Sequence, residues 1–360
     1  MLVMKISIAP KLAGINPYQD QLINQLSNLS ANIQSVEWYK AFLPSAVSDW
    51  QPDVVHLHWI HQYFDTPSRL KSVVRFGKFV AGLFILRFQG KKIVWTAHNL
   101  KSHDSKHPVL DDLSTQIVVK ISDAVIAHSE AAKQEIIAKY GVNCLDKIFV
   151  IPHANYIGQY PKTCTQTQAR EKLEISNSSF VFLFFGLIRA YKGISEILAA
   201  FDQLPKDQNI RLMIAGSAKD SDLIAEIKQH TQADPRIKLE ARFIPDDEVQ
   251  VYMNASDIVL LPYRQFLTSG AVLLAMSFAK ACIAPNQGCI LEVLDDQGAF
   301  LYDPDQPDGL LHAMQAALAQ KETIAQMGQH NYTKVQEWSW EFVAQKNLDV
   351  YKTCLHRGKP

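Results

Sequence analysis

Ten short apolar runs, alternating with longer stretches of helical spacing, recur along this 360-residue chain and set its fold class. They fall at 5–9, 54–57, 93–96, 124–128 and 148–151, and then at 180–185, 211–215, 237–240, 258–261 and 281–284. A strand with one wet face alternates apolar and polar residues. These runs are nearly continuous, which requires burial on both faces and hence parallel strands returned by helices. The intervening spacing predicts helices at 18–29, 131–140, 194–204, 220–230, 246–254 and 271–278. The chain therefore reads as α/β, with two doubly wound Rossmann-like sheets.

Charge and cysteine usage narrow the function. The 36 basic residues balance 36 acidic ones, which argues against a nucleic-acid partner, whose phosphates demand a Lys/Arg surplus. Through Asn155 there are 16 basic and 12 acidic residues, so the two halves carry opposite small surpluses. The five cysteines are odd in number and form no C-x-x-C pair, the pattern of reduced thiols in a cytoplasmic protein. The first residues lack a signal peptide's three-part pattern, and no apolar run approaches the ~20 residues of a spanning helix. The polar stretch 156–168 marks the best domain boundary. Expected domains are 1–158, 159–335 and a closing helical segment 336–360.

Between Ser68 and Lys92, basic residues interleave with apolar ones: Arg69, Lys71, Arg75, Lys78, Arg87, Lys91 and Lys92 alternate with Val73, Phe76, Phe79, Val80, Leu83 and Phe84. Such a stretch suits an anionic membrane surface, and equally a packing helix with a solvated basic face.

Two segments in the second half carry phosphate-type chemistry. In Phe184-Phe-Gly-Leu-Ile-Arg-Ala-Tyr-Lys-Gly-Ile194 an apolar strand runs into Gly186, and Arg189 and Lys192 then precede a helix. Ligands of open parallel sheets bind beyond the strands' carboxyl ends, where two cations beside free helix N–H groups fit a diphosphate. The same cations would stabilise charge on a phosphate leaving group. The second segment opens a helix at Thr268-Ser269-Gly270, where hydroxyls and backbone amides can hold phosphate oxygens, although Ser and Thr are also ordinary N-caps.

At these residues the chain resembles the GT-B glycosyltransferases, in particular the group 1 family that uses nucleotide-sugar donors. The likeness runs through Arg189–Gly193, Ile214-Ala-Gly216, Phe243-Ile-Pro-Asp-Asp-Glu-Val249, Ala255-Ser-Asp-Ile-Val-Leu-Leu-Pro262, Ala281-Cys-Ile-Ala-Pro285 and Gly288-Cys-Ile-Leu-Glu292. In the first half it includes Ser122-Asp-Ala-Val-Ile126 and Ile151-Pro-His153. The resemblance implies two Rossmann-like domains facing across a cleft, with the last helix returning to the first domain. The donor, a UDP- or GDP-linked sugar, would lie in the second domain. Gly186, Arg189, Lys192 and Gly216 would meet its diphosphate, the backbone of Phe243 and Ile244 its base, Thr268, Ser269 and Gly270 its phosphate side, and Glu292 its sugar or ribose. One departure stands out. The family's E-x7-E motif would put glutamates where this chain has Phe266 and Leu274, so the donor site is a variant in which Thr268-Ser269-Gly270 occupies that region.

The first domain is expected to take the acceptor, a glycan or lipid-linked saccharide, beside Asn16, Tyr18, His58 and Asn99. By its match to the family's Thr-x-His segment, His98 in Trp95-Thr-Ala-His-Asn99 is assigned to the reacting centre, and its imidazole suits proton handling near neutral pH. Asp104 is the candidate base for an inverting reaction. His56 and His58 share a strand face, but no Asp or Cys set completes a metal cluster, and Asp303-Pro-Asp305 reads as a turn. Transfer without metal or cofactor is expected, at the inner face of the plasma membrane. The rival readings are an epimerase or hydrolase of the same fold and a nucleotide-sugar-binding subunit that has lost catalysis.

Overall fold

The computed structural model of the chain describes residues 4–11, 17–29, 31–36, 43–100, 105–141, 146–206, 209–263 and 270–357. The chain forms two compact units, Met1–His153 with Trp338–Pro360, and Ala154–Glu337.

The first unit holds β1 (Lys5–Ala9), β2 (Asn32–Ser35), β3 (Val54–Leu57), β4 (Lys92–Thr96), β5 (Ala124–Ala127) and β6 (Ile148–Val150), all parallel, in the order β2-β1-β3-β4-β5-β6. The second holds β7 (Phe180–Phe185), β8 (Ile210–Ala215), β9 (Ile237–Glu240), β10 (Ile258–Leu260), β11 (Ala281–Pro285) and β12 (Ala299–Tyr302) in the order β12-β11-β10-β7-β8-β9, again all parallel. Strand order reverses between β1 and β3 in one sheet and between β7 and β10 in the other. Those switch points open a crevice at the carboxyl edge of each sheet.

Eight of the ten apolar runs are the inner strands, and those at 148–151 and 237–240 are the edges β6 and β9. All six residues of β7 are buried, and Phe182 and Phe184 are sealed on both faces; each such ring contributes roughly 1.5–3 kcal/mol over leaving it in water. The two strands that periodicity misses, β2 and β12, are both sheet edges with a single partner strand. Asn32-Ile-Gln-Ser needs no second apolar face there. The aromatic–basic stretch of the first half forms one long helix, Arg69–Phe88.

The closing helix, Trp340–His356, belongs to the first unit and packs on the helix Tyr18–Asn28. Residues 155 and 156, at the head of the polar boundary stretch, are tied into the second unit. Asn155 Nδ2 donates to the carbonyl of Val335 at 2.9 Å, and the Tyr156 amide donates to Ser277 Oγ at 2.9 Å. Behind them, the buried Arg170 guanidinium donates to the carbonyls of Ala255 and Asn177 and to the Asp257 carboxylate, 2.8 Å away. With its donors satisfied, that buried cation clamps the linking helix Gln166–Lys172 to the sheet.

Candidate functional site

In the second unit the carboxyl edge of the sheet is built from glycines and cations. The strand β7 ends at Phe185, and the Ile188 amide then donates to the Ser217 carbonyl at 2.8 Å, so the loops after β7 and β8 continue side by side. Their closest approach is at Gly216: a Cβ there would come within 1.8 Å of the Gly186 carbonyl oxygen, and its φ of +147° is one that L side chains rarely adopt. From Arg189 the chain makes a tight 3-10 turn, Ala190–Lys192, and enters the helix Ile194–Asp202 through Gly193 in the left-handed region. A Cβ on Gly193 would meet the Pro262 carbonyl oxygen at 2.3 Å. The turn after β7 is thereby pressed against the residues after β10, directly over the switch point.

Lys192 is the centre of this arrangement. Its Nζ lies 5.1 Å from the centroid of the Tyr263 ring and 3.4 Å from where a side chain on Gly186 would begin. Burial, and secondarily the charge of Arg189, pull its ammonium down to about 8. Two cations held together in a half-buried turn destabilise each other, and an anion relieves that penalty. The amides of Gly186, Gly193 and Gly216 are spent on the carbonyls of Ala215, Ala190 and Glu240, so backbone donors for such an anion have to come from the first turn of the helix Ile194–Asp202.

The other donor-side residues lie at the same edge of this sheet. Phe243 and Ile244 follow β9, with the Phe243 ring 64% exposed and Ile244 buried. Nearby, Arg242 is held by Glu240 and Glu248. Gly270 opens the helix Gly270–Ser277, and a Cβ on it would come within 2.9 Å of Tyr156 Oη. Glu292 is exposed on a short helical turn, Ile290–Val293, after β11. Leu274, at the position of the family's second glutamate, is buried. Thr268 and Ser269 lie outside the described residues, as do Asn16 and Asp104.

In the first unit the same edge is filled with rings. Four histidines follow four successive strands: His58 after β3, His98 after β4, His128 after β5 and His153 after β6. All four converge on Tyr18, with ring centroids 5.8, 5.0, 5.6 and 4.9 Å from its own. Trp340 of the closing helix covers Tyr18 at 5.4 Å. The sequence places Tyr18 and His58 on the acceptor side; in the structure both are fully buried and serve the interior of this cluster.

His98 is partly accessible, as is Asn99 beside it. Its ring stacks on Trp59 at 4.2 Å and 8°, and its Nε2 is hydrogen-bonded to His58 Nδ1 at 2.9 Å. Behind His58, at 4.3 Å between rings, His56 is anchored by the Tyr351 hydroxyl (2.7 Å) and the Thr96 hydroxyl (2.8 Å). Burial, reinforced by the neighbouring imidazoles, holds His56 down to about 3 and both His58 and His98 well below the usual histidine range; burial takes His128 to about 4. The imidazoles are therefore neutral at pH 7. Because His98 Nε2 is engaged with His58, Nδ1 is its remaining ring nitrogen. Among the described residues no group of three or more His, Cys, Asp or Glu has the geometry to hold a metal ion.

His128 enters the cluster without having been singled out by motif. The available signal for the cluster is positional: a histidine one to three residues beyond each of four consecutive strands.

Two doubly wound parallel sheets, one with a glycine-cation turn at its switch point, define a GT-B transferase architecture. The family model described as "Glycosyl transferases group 1" matches residues 165–334, and that of "Glycosyltransferase Family 4" matches residues 26–154. The chain belongs to the group 1 glycosyltransferases. A GDP-mannose:glycolipid 4-beta-D-mannosyltransferase of Xanthomonas campestris pv. campestris is 24% identical over 336 residues, covering 90% of this chain and 86% of that one. Among solved structures, sucrose-phosphate synthase from Thermosynechococcus elongatus superposes with a TM-score of 0.75 at 17% identity, covering 98% of this chain and all of that one. Anabaena HepE, solved with UDP and glucose, gives 0.75 at 16% identity, covering 97% and 100%.

Proposed function

We propose that this glycosyltransferase moves a sugar from a UDP- or GDP-linked donor to a hydroxyl of a glycan or lipid-linked saccharide, without a metal ion, while resting on the inner face of the plasma membrane. The observation that carries the donor assignment is the turn Arg189–Gly193, which presents two cations over the switch point of the second sheet. The glycolipid acceptor of the Xanthomonas relative and the UDP bound to HepE support the substrate class.

In the reaction, an acceptor hydroxyl oxygen bonds to the anomeric carbon as the bond from that carbon to the diphosphate oxygen breaks. The nucleoside diphosphate departs with the bonding electrons, and the hydroxyl proton passes to a base. Arg189 and Lys192 meet the charge that grows on the leaving phosphate, the part a metal ion plays elsewhere. The Phe243–Ile244 segment receives the base, Gly270 opens the helix beside the phosphates, and Glu292 meets the sugar or ribose. The first unit takes the acceptor, with the partly accessible His98 at the reacting centre and Asn99 beside it. Positioning and charge neutralisation, rather than a covalent intermediate, supply the acceleration.

A thermal-shift screen of UDP-, GDP- and ADP-sugars tests the reading, because a ligand at 100 times its Kd adds about 2.7 kcal/mol to the folded state. One nucleotide class should raise Tm, in EDTA as well as in magnesium. Absence of any shift across the panel would refute donor binding. Product analysis then separates transfer from acceptor-independent hydrolysis or binding without turnover.

A further inference from the structure

The helix Arg69–Phe88 is apolar on two opposite faces. One face packs into the first unit through Ser72, Phe79, Gly82, Leu83 and Leu86. The other faces solvent: Leu70, Val73, Val74, Phe84, Ile85 and Phe88 are all exposed, with Leu70 at 76%, Phe84 at 55% and Phe88 at 95%. These positions recur at three- and four-residue steps, and the exposed Gly77 and Ala81 continue the line between them. The stripe runs for about 27 Å at 1.5 Å per residue. The adjoining helix Pro108–Ile121 adds exposed Val109 and Leu113.

A helix buried on one side has no folding reason to keep a second apolar stripe in water, and exposed stripes of this size mark a docking surface. Its rims identify the partner. At 100° per residue, Lys71 and Lys78 flank one side of the stripe, and Arg69 and Arg87 the other, with Arg75 further round toward the packed face. Arg87 is paired with Asp123, whereas Arg69, Lys71, Arg75 and Lys78 form no ion pair among the described residues. The sequence contains no Asp or Glu between Asp65 and Asp104. A second copy docked on the stripe would set these like-charged rims against each other. An anionic bilayer accepts the apolar line among its acyl chains and the cations at its headgroups.

We infer that the exposed stripe of the Arg69–Phe88 helix is the surface through which this protein lies on an anionic lipid bilayer. This deepens the membrane part of the function proposed above by naming the face that makes contact, and it does not depend on how the donor is held.

The test is flotation of the full chain with vesicles of phosphatidylcholine alone or mixed with phosphatidylglycerol. The wild type should float with the mixed vesicles, less so at high salt, and scarcely with phosphatidylcholine. Phe84→Ser with Phe88→Ser should lower the partition coefficient by about tenfold or more. Lys71→Glu with Lys78→Glu should lower it by a similar factor. All four substitutions lie on the surface, so circular dichroism and the donor-induced thermal shift should match wild type. Loss of that shift in the wild type would count against donor binding, not against docking. Failure to float, equal flotation with neutral lipid, or variants that float like wild type would overturn the inference. So would a concentration-dependent dimer that dissociates on F84S/F88S without any lipid association.

Discussion

Both units break their strand order near the middle of a parallel sheet, yet they finish the resulting edge with opposite materials. The first packs Tyr18, four histidines and Trp340 into a ring-filled cluster. The second leaves the edge to Gly186, Gly193 and Gly216, with Arg189 and Lys192 projecting from the tightest turn. One topology therefore yields a wall of buried rings in one case and, on the function proposed above, an anion cradle in the other. The difference rests on whether a strand is followed by a large ring or by no side chain at all.

The largest effect should come from the cradle's charge. Lys192→Ala or Arg189→Ala should each lower kcat on the order of 10²–10³-fold, as removal of one donor to a developing oxyanion does. Near-wild-type turnover in both would erase the contrast between the edges. The contrast also has a pH signature. As Lys192 deprotonates, donor KM should rise above about pH 8, and Lys192→Arg should move that limb to higher pH.

Next in size is the cradle's geometry. Gly216→Ala places a methyl carbon against the Gly186 carbonyl in a backbone region hostile to side chains, and should cost roughly 2–4 kcal/mol of stability in urea unfolding. A neutral result would mean that the loops after β7 and β8 are free to part.

Smaller, and confined to the first unit, is the acid sensitivity of the ring cluster. His56, His58, His98 and His128 bind protons less readily when folded than in the unfolded chain, where histidine titrates near 6.5. The unfolded state therefore takes up protons first as pH falls. Stability should be complete above about pH 6.5 and decline toward pH 4 for His128 and pH 3 for His56, by at most about 1.4 kcal/mol per pH unit for each imidazole. Replacing His128 by Phe should flatten part of that slope. An unchanged slope would place the acid-sensitive groups elsewhere.

The inner strands were legible because burial on both faces leaves no polar residue to interrupt them, as in Phe180-Val-Phe-Leu-Phe-Phe185. The edges β6 and β9 were legible as well, but β2 and β12 were not; Asn32-Ile-Gln-Ser35 carries a single apolar residue among its four. The cationic turn was legible for a local reason, since Gly186, Arg189, Lys192 and Gly193 are neighbours in sequence. The histidine cluster is the reverse case. His58, His98, His128 and His153 are separated by 25 to 40 residues and meet only because their strands lie side by side. His58 and His98 drew notice for other reasons, and nothing local says that the four meet. Tyr18 and His58 likewise read as binding groups until the packing around them was visible.

The hydrogen bond from Asn155 to Val335 brings together the places where the chain enters and leaves the second unit, and the rings of His153 and Trp340 do the same for the first, 6.2 Å apart. In each unit the two severed ends are neighbours. The second unit is thus laid out as a cassette spliced into a host. A short peptide joining residue 153 to residue 338 would close the host, and the excised cassette would begin and end at one point on its surface, the arrangement that lets domains be transplanted or permuted.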